Sequence, residues 1–283
     1  MSNYYSFVAG LPEIQLLDAK AYHTTQSIKA LLEETVNVKD WQLLSFYYGR
    51  FDNHNLLIAL DISKEKWDSR GNYTEEEIQE MLVAFREEEN PHIERIPSWF
   101  RRFIPAFQAG EALYAEMSWE DQLLTAYFEA GMGCKNQYIA AWFTFQYRVR
   151  NVMTAFQCRK FGLDRSNYVL GEDEFSVKLR TSSAKDFGVT VEFPYISQVL
   201  KVMEMPNFYD REKALDALYW NYIEENTFFH YFSLEKIFAY LIQLEMIERW
   251  SELNEQEGME VFREFVNQLK SSFRFQDEFS LKR

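Results

Sequence analysis

Glycine and proline are scarce in this sequence, and their scarcity argues against a sheet protein. Only 10 glycines and 6 prolines occur in 283 residues, whereas a chain of short strands needs turn residues at frequent intervals. Cysteine is rarer still. Cys134 and Cys158 have no second pair near them, so neither a disulfide framework nor a structural zinc site is indicated. We expect two reduced thiols in a cytoplasmic protein.

The sequence also lacks long apolar runs and an excess of basic residues. No stretch is long and apolar enough to predict a transmembrane helix, and the first residues lack the basic start of a signal peptide. Acidic residues outnumber basic ones by 44 to 30, for a net charge of −14. Nucleic acids and anionic lipids both attract clustered Lys and Arg. We therefore expect neither as the principal partner, and favour a protein partner with a basic face.

Motifs of several enzyme classes are absent from the sequence. It has no phosphate-binding glycine loop, no Gly-x-Ser-x-Gly elbow and no His-Glu-x-x-His zinc helix. Glu89 and His92 have the Glu-x-x-His spacing of di-iron helical bundles, but Pro91 interrupts the helical turn and no second copy occurs. We interpret Asp52 and Asn55 as a polar helix face. The sequence therefore predicts no catalytic residue, no cofactor and no metal ligand.

Apolar side chains at helical spacing are what the sequence has in abundance. Between residues 136 and 163 they recur, interrupted only by Arg159, in alternating steps of three and four residues, which keeps one seam of a long helix against a partner. Bulky residues off this seam indicate that neighbours cover the helix on more than one side. The seam consists of Tyr138, Trp142, Phe145, Val149, Val152, Phe156 and Leu163.

The rest of the chain predicts an all-α protein arranged around that central helix. We expect a first bundle over residues 1–110, a central bundle over 111–194 and a C-terminal bundle over 195–283, or one continuous body. Residues 175–193 lose the helical period, which fits either a small hairpin or an irregular link with short helical turns. Further helices are predicted over 18–34, from an N-cap at Asp40, after Thr74, after Ser118, over 195–205, 210–225 and 234–253, and after a new start at Asn254. Residues 98–104, bracketed by Pro97 and Pro105, are predicted to be a connector with a short helical turn.

Charge is unevenly distributed over these helices. Residues 135–163 contain no Asp or Glu, and their basic residues form an island in an acidic protein: Lys135, Arg148, Arg150, Arg159 and Lys160. Glu245, Glu248 and Glu252 form an acidic stripe on one face of a later helix. One hypothesis is that the stripe packs against the island and fixes the register of the two helices. The alternative is that both are solvated faces, open to a partner.

Aromatic residues are also concentrated in one part of the sequence. Seven aromatic residues crowd one short stretch, too densely for a single helix face: Tyr219, Trp220, Tyr222, Phe228, Phe229, Tyr231 and Phe232. We favour a core corner between helices, since most apolar clusters are interior. The functional alternative is a hydrophobic docking patch.

Three segments share an aromatic-x-aromatic pattern followed by apolar residues: 5–9 (YSFVA), 145–152 (FQYRVRNV) and 238–245 (FAYLIQLE). Together they resemble the C/d family of central-stalk proteins in A-type and V-type rotary ATPases. Residues 151–163 are similar to that family's Asn-Leu-(+)-x-x-Leu-(+)-x-Lys-x-x-Gly-Leu pattern, and 238–249 to its final repeat. The opening and size are similar to a bacterial branch of uncharacterised proteins encoded beside V-type ATPase genes. Gly10-Leu11 replaces the family's Arg after the N-terminal Ala, and the first repeat is weak around residues 46–57.

The resemblance implies three related helical bundles arranged as a funnel. It implies a non-catalytic central-stalk subunit that couples the central axle to the membrane rotor ring, and hence takes part in ion transport. Such a subunit would be peripheral to the cytoplasmic face of the inner membrane, without a transmembrane segment of its own, and a monomer when isolated. The rival interpretations are a free-standing helical adaptor and a metal-dependent helical-bundle enzyme.

Overall fold

The structure, a computed structural model, describes residues 4–16, 18, 20–87, 91 and 96–273, with side chains described up to residue 253. Within these residues the chain forms α-helices, one short 3₁₀ turn and no strand, so the predicted all-α class is confirmed. The helices are α1 (Tyr5–Ala9), α2 (Thr25–Thr35), α3 (Val38–Ala59), α4 (Glu75–Glu87), α5 (Ser98–Ala109), α6 (Trp119–Met132), α7 (Gln137–Phe161), α8 (Glu174–Thr181), α9 (Ile196–Met203), α10 (Phe208–Thr227) and α11 (Leu234–Phe273).

Helix α7 is the predicted central helix. The Asn136 side chain caps its start by accepting hydrogen bonds from the backbone N–H groups of Tyr138 (3.0 Å) and Ile139 (3.1 Å). Gly162 ends it in the left-handed conformation, with φ of 68°, where a side chain would be strained. Helices α6, α8, α9 and α11 all contact α7, as expected of a helix covered on several sides.

Two further helices begin at the capping residues that the sequence predicts, whereas the predicted first residues of α2 and α3 were wrong. The Thr74 hydroxyl and the Glu77 carboxylate exchange hydrogen bonds with each other's backbone N–H, as the capping-box pattern predicts. Ser118 caps α6 by accepting from the N–H of Asp121 at 3.1 Å. Helix α3, however, begins after Asn37 rather than Asp40, because the Asn37 side chain accepts from the Asp40 N–H. Helix α2 begins only at residue 25, not 18.

Residues 98–104 belong to a regular helix, α5, that continues to Ala109, rather than to a connector with only a short helical turn. Proline inside a helix removes a hydrogen bond and costs about 3 kcal/mol, and Pro105 lies within α5. Phe100, Phe103 and Ile104 are fully buried on the same helix. Each such side chain gains about 1.5–3 kcal/mol on burial, so tertiary packing outweighs the local cost.

The hairpin considered for residues 175–193 does not form. Residues 174–181 are helix α8, and turns follow it up to α9. Asp173 caps α8 by accepting from the backbone N–H of Ser176 at 3.2 Å, while Phe175 and Leu179, four residues apart, are both buried. The alternation read as strand-like is therefore one short helix followed by turns, in which Val189 is buried and Val191 is exposed.

Helix α11 runs without interruption for 40 residues, so the predicted new start at Asn254 is wrong. At 1.5 Å per residue it is about 60 Å long. Its first half is buried against the rest of the protein, whereas the predicted seam of the last helix, from Met259 to Phe273, lies outside the residues whose side chains are described.

Most of the buried apolar side chains form one hydrophobic cluster that reaches from Tyr4 to Ile247. Every described helix from α2 to α11 contributes to it, and α1 packs against it through Phe7 and Val8. The boundaries proposed at 110 and 194 remain predictions. Among the described residues, none of the helices combines the length and apolar composition that crossing a bilayer requires.

Candidate functional site: an exposed aromatic tip

The three arginines of the basic island contact other parts of the protein. Arg148 donates to the backbone carbonyl of Glu192 at 2.7 Å, and Arg150 pairs with Asp121 of α6 at 2.7 Å. Arg159 donates to the backbone carbonyls of residues 184 and 185 and lies 3.7 Å from the ring centre of Phe187. These side chains hold turns and a neighbouring helix in place. Lys160 is exposed at the end of α7.

The acidic stripe of α11 faces α2 and α3. Glu245 contacts the guanidinium of Arg50 and accepts from the Tyr47 hydroxyl at 3.1 Å. Glu248 accepts from the backbone N–H of Thr25 at 2.8 Å and so compensates the positive end of the α2 dipole. Glu252, one turn further on, is exposed.

The hypothesis that the stripe packs against the island is therefore wrong. Among the described side chains, no ion pair joins one of these acidic residues to one of the basic residues of α7. The physical reason is that α7 meets α11 through aromatic side chains. Tyr138 and Phe238 lie edge to face with 6.3 Å between ring centres, while the charges on both helices point to other neighbours.

The aromatic stretch 219–232 divides into a buried half and an exposed half. Trp220 and Tyr222 are buried, which fits the favoured core corner. After α10 ends at Thr227, the connection to α11 turns its aromatic side chains outward: Phe228 is 66% exposed, Phe229 81% and Tyr231 63%. For these residues the core interpretation is wrong, and the docking-patch alternative fits.

Helix α1 adds to the same surface. The backbone N–H of Tyr4 donates to the carbonyl of Phe232 at 2.9 Å, and the Tyr5 ring, 58% exposed, lies 4.5 Å from the ring of Phe232. We call this surface the aromatic tip; it consists of Tyr5, Phe228, Phe229, Tyr231 and Phe232. Clusters of exposed apolar side chains often mark interaction sites on proteins.

The tip has a rigid base. Thr227 bonds back to the carbonyl of Ile223 at 2.6 Å, and the His230 N–H donates to the Thr227 carbonyl at 2.8 Å, which closes the turn. Glu235, in the first turn of α11, accepts from the Asn136 amide at 2.7 Å and ties the tip to the start of the central helix. Aromatic side chains have few rotatable bonds, so on a fixed base they lose little entropy on binding.

The candidate metal ligands do not form a described site. Glu89 and His92 lie outside the described residues. Asp52 and Asn55 are fully buried rather than part of a polar face. Asp52 accepts from the backbone N–H of Asn72 at 2.6 Å, and Asn55 exchanges two 2.8 Å hydrogen bonds with the backbone of Asp68. Both side chains thus anchor the loop that precedes α4. Within the described residues, no group of three or more His, Cys, Asp or Glu could hold a metal ion.

A family model described as "Protein of unknown function (DUF2764)" matches residues 1–273 of the chain. No curated protein and no solved structure matches it.

Proposed function

This chain belongs to the DUF2764 family, and we propose that it acts as a non-catalytic central-stalk subunit of a V-type or A-type ATPase. In this role it would join the central axle to the membrane rotor ring and transmit torque between them. The specific assignment comes from the resemblance of residues 5–9, 145–152 and 238–245 to the C/d family of those enzymes.

The observation that carries an interaction role is the aromatic tip. Its five aromatic side chains include two ring pairs, Tyr5 with Phe232 and Phe228 with Phe229, and most of the area of Phe228, Phe229 and Tyr231 is exposed. Such a surface favours a protein partner with an apolar face. Glu224 and Glu225 are exposed shortly before the tip in sequence, and the chain has a net charge of −14, which disfavours an anionic lipid surface as its direct ligand.

The rigid body suits a part that transmits force. One continuous core links α2 through α11, and the close-packed interiors of proteins have low compressibility. The charged residues of α7 and α11 that face neighbouring helices add further cross-links between elements. A free-standing helical adaptor would have the same tip and body, so the identity of the bound partner is what separates the two roles.

The test is affinity purification of the tagged chain from gently solubilised native membranes, followed by quantitative mass spectrometry. The proposal predicts that subunits of a rotary ATPase co-purify in near-stoichiometric amounts. A double variant, Phe228→Ser with Phe229→Ser, should lose most of them, because the apolar contact area of the tip is removed.

Phe161→Ser is the matched control, since Phe161 is 68% exposed but lies at the far end of α7. This variant should retain the co-purifying subunits. Recovery of an unrelated protein in place of rotary ATPase subunits would establish the adaptor instead. Equal recovery with the tip variant and the control would remove the tip from the interface.

A further inference from the structure

A second surface, separate from the tip, lies along one face of α10. Residues spaced three or four apart form its floor, and residues 13–16 and 18 form one wall. Trp250 of α11 closes the other side, and the groove has a volume of about 730 Å³. The floor consists of Tyr209, Lys213, Asp216, Ala217, Trp220, Asn221 and Glu224.

One end of this groove is an aromatic corner that already holds a cation. The rings of Tyr209 and Trp250 stand at 85° to each other with 5.3 Å between their centres. The ammonium of Lys213 lies 4.5 Å from the centre of the Tyr209 ring and 5.8 Å from that of Trp250. A cation within about 6 Å of an aromatic face is attracted by the negative charge density of the ring.

The corner is fixed by a buried carboxylate. Asp216, 3% exposed, accepts from the indole N–H of Trp250 at 2.6 Å and also pairs with Arg249. The Trp250 ring therefore presents a defined face to the groove. Further along, the indole N–H of Trp220 donates to Glu224 at 2.7 Å, which holds that carboxylate at the groove floor.

The charge of the groove also favours a cation. Its lining contains the carboxylates of Glu13, Asp18, Asp216 and Glu224 against one basic residue, Lys213. The carboxylate of Asp216 is matched by Arg249, which leaves three other acids and one ammonium in the described lining. The chain as a whole carries a net charge of −14, so its field steers basic partners toward it.

We propose that this groove binds a basic segment of a partner protein, whose arginine or lysine side chain replaces Lys213 between Tyr209 and Trp250. Lys213 then acts as a tethered stand-in that occupies the corner when the partner is absent. The occupant is a peptide side chain rather than a lipid or a nucleic acid, because both of those bring negative charge to an acidic groove. The inference rests on the groove alone and holds whichever complex the protein joins.

The experiment is fluorescence anisotropy of the purified full chain with a fluorescein-labelled peptide of alternating Arg and Gly. The same peptide with citrulline in place of arginine keeps the shape and removes the charge. The arginine peptide should bind and the citrulline peptide should not. Absence of arginine-peptide binding, or equal binding of both peptides, overturns the proposal.

Two variants locate the binding. Tyr209→Ala should weaken binding about fivefold, the effect expected of one lost cation–π contact. Tyr168→Ala is the control, because Tyr168 has nearly the same exposure, 42% against 41%, on a different surface. Equal effects of the two substitutions would mean that the peptide binds the acidic surface without using the corner, and would overturn the proposal.

Lys213→Met is expected to strengthen binding, a result that loss of structure cannot produce. Methionine keeps an apolar stem over the rings and removes the competing ammonium, so affinity for the arginine peptide should rise by about threefold or more. Lys201→Met, one helix away, changes the net charge equally and should give a clearly smaller increase. An unchanged affinity with Lys213→Met, or an equal rise with Lys201→Met, would overturn the proposal.

Discussion

The contact between α6 and the central helix leads to a sharp stability prediction. Gly131 is buried near the end of α6 and lies against the Phe143 ring of α7. A Cβ atom added at Gly131 would come within 2.2 Å of Cδ1 and 2.3 Å of Cγ of that ring. Alanine at this position therefore overlaps the ring itself rather than a flexible chain end.

The ring has little room to yield. Phe143 is 2% exposed, and its centre lies 5.1 Å from Tyr127, 6.0 Å from Phe46 and 6.3 Å from Phe128. To restore an ordinary contact of about 3.4 Å, the ring or the helix must move by about 1.2 Å, the difference from 2.2 Å. Overpacking of this kind costs about 1–3 kcal/mol, while alanine gains at most about 1 kcal/mol over glycine in a helix. Because the ring has little room to move, we expect a cost in the upper part of this range and a net destabilisation by Gly131→Ala of about 1–2 kcal/mol.

Gly133→Ala is the matched control, two residues further along. Its Cβ would lie 3.3 Å from the Glu129 carbonyl, and its φ of −80° suits any residue. Urea unfolding followed by circular dichroism should give this variant the stability of the wild type to within about 0.5 kcal/mol. The reasoning fails if Gly131→Ala is as stable as Gly133→Ala, or if adding Phe143→Leu to Gly131→Ala recovers none of the loss.

Three further predictions concern buried polar groups and charges. Burial raises the pKa of Asp52 to about 7, so the folded state keeps a proton that the unfolded chain releases near pH 4. The free energy of unfolding should therefore fall as pH rises from about 4 to 7, and Asp52→Asn should remove up to about 4 kcal/mol of that fall. Parallel curves of stability against pH for the variant and the wild type would refute the assignment. Asn151→Ala should cost about 2–4 kcal/mol in urea unfolding, because the Asn151 amide both donates to and accepts from the backbone of Leu170 at 3.0 Å; a loss below about 1 kcal/mol would contradict this. Arg148→Glu and Glu248→Arg should have additive effects on stability, since the two side chains have no common partner. A double variant more stable than the sum of the two effects predicts would instead support direct pairing of Arg148 with Glu248.

The sequence predicted those parts of the fold that depend on neighbouring residues. Asn136, Thr74 and Ser118 cap helices because a short polar side chain reaches N–H groups two or three positions away, which spacing alone reveals. Gly162 ends α7 for a similarly local reason. Pro105 misled the prediction of α5, because the gain from burying its neighbours depends on distant parts of the chain.

The candidate sites were harder to predict, since both depend on which helices meet. The density of aromatic residues at 219–232 identified the right stretch, but the direction in which the connection turns after Thr227 decided that Phe228 and Phe229 face outward. The α10 groove was missed altogether. Its signal was available as the Tyr209, Lys213, Trp220 spacing on one helix face, but only the fold brings Trp250 beside it.

The central claim is that the aromatic tip contacts a subunit of a rotary ATPase. The most direct measurement replaces Phe229 with a photo-crosslinking phenylalanine analogue in cells, irradiates native membranes and identifies the attached protein by mass spectrometry. The account predicts a cross-link to an axle or rotor-ring subunit that disappears when the analogue is moved to position 161. A cross-link solely to an unrelated protein, or to lipid, would contradict it.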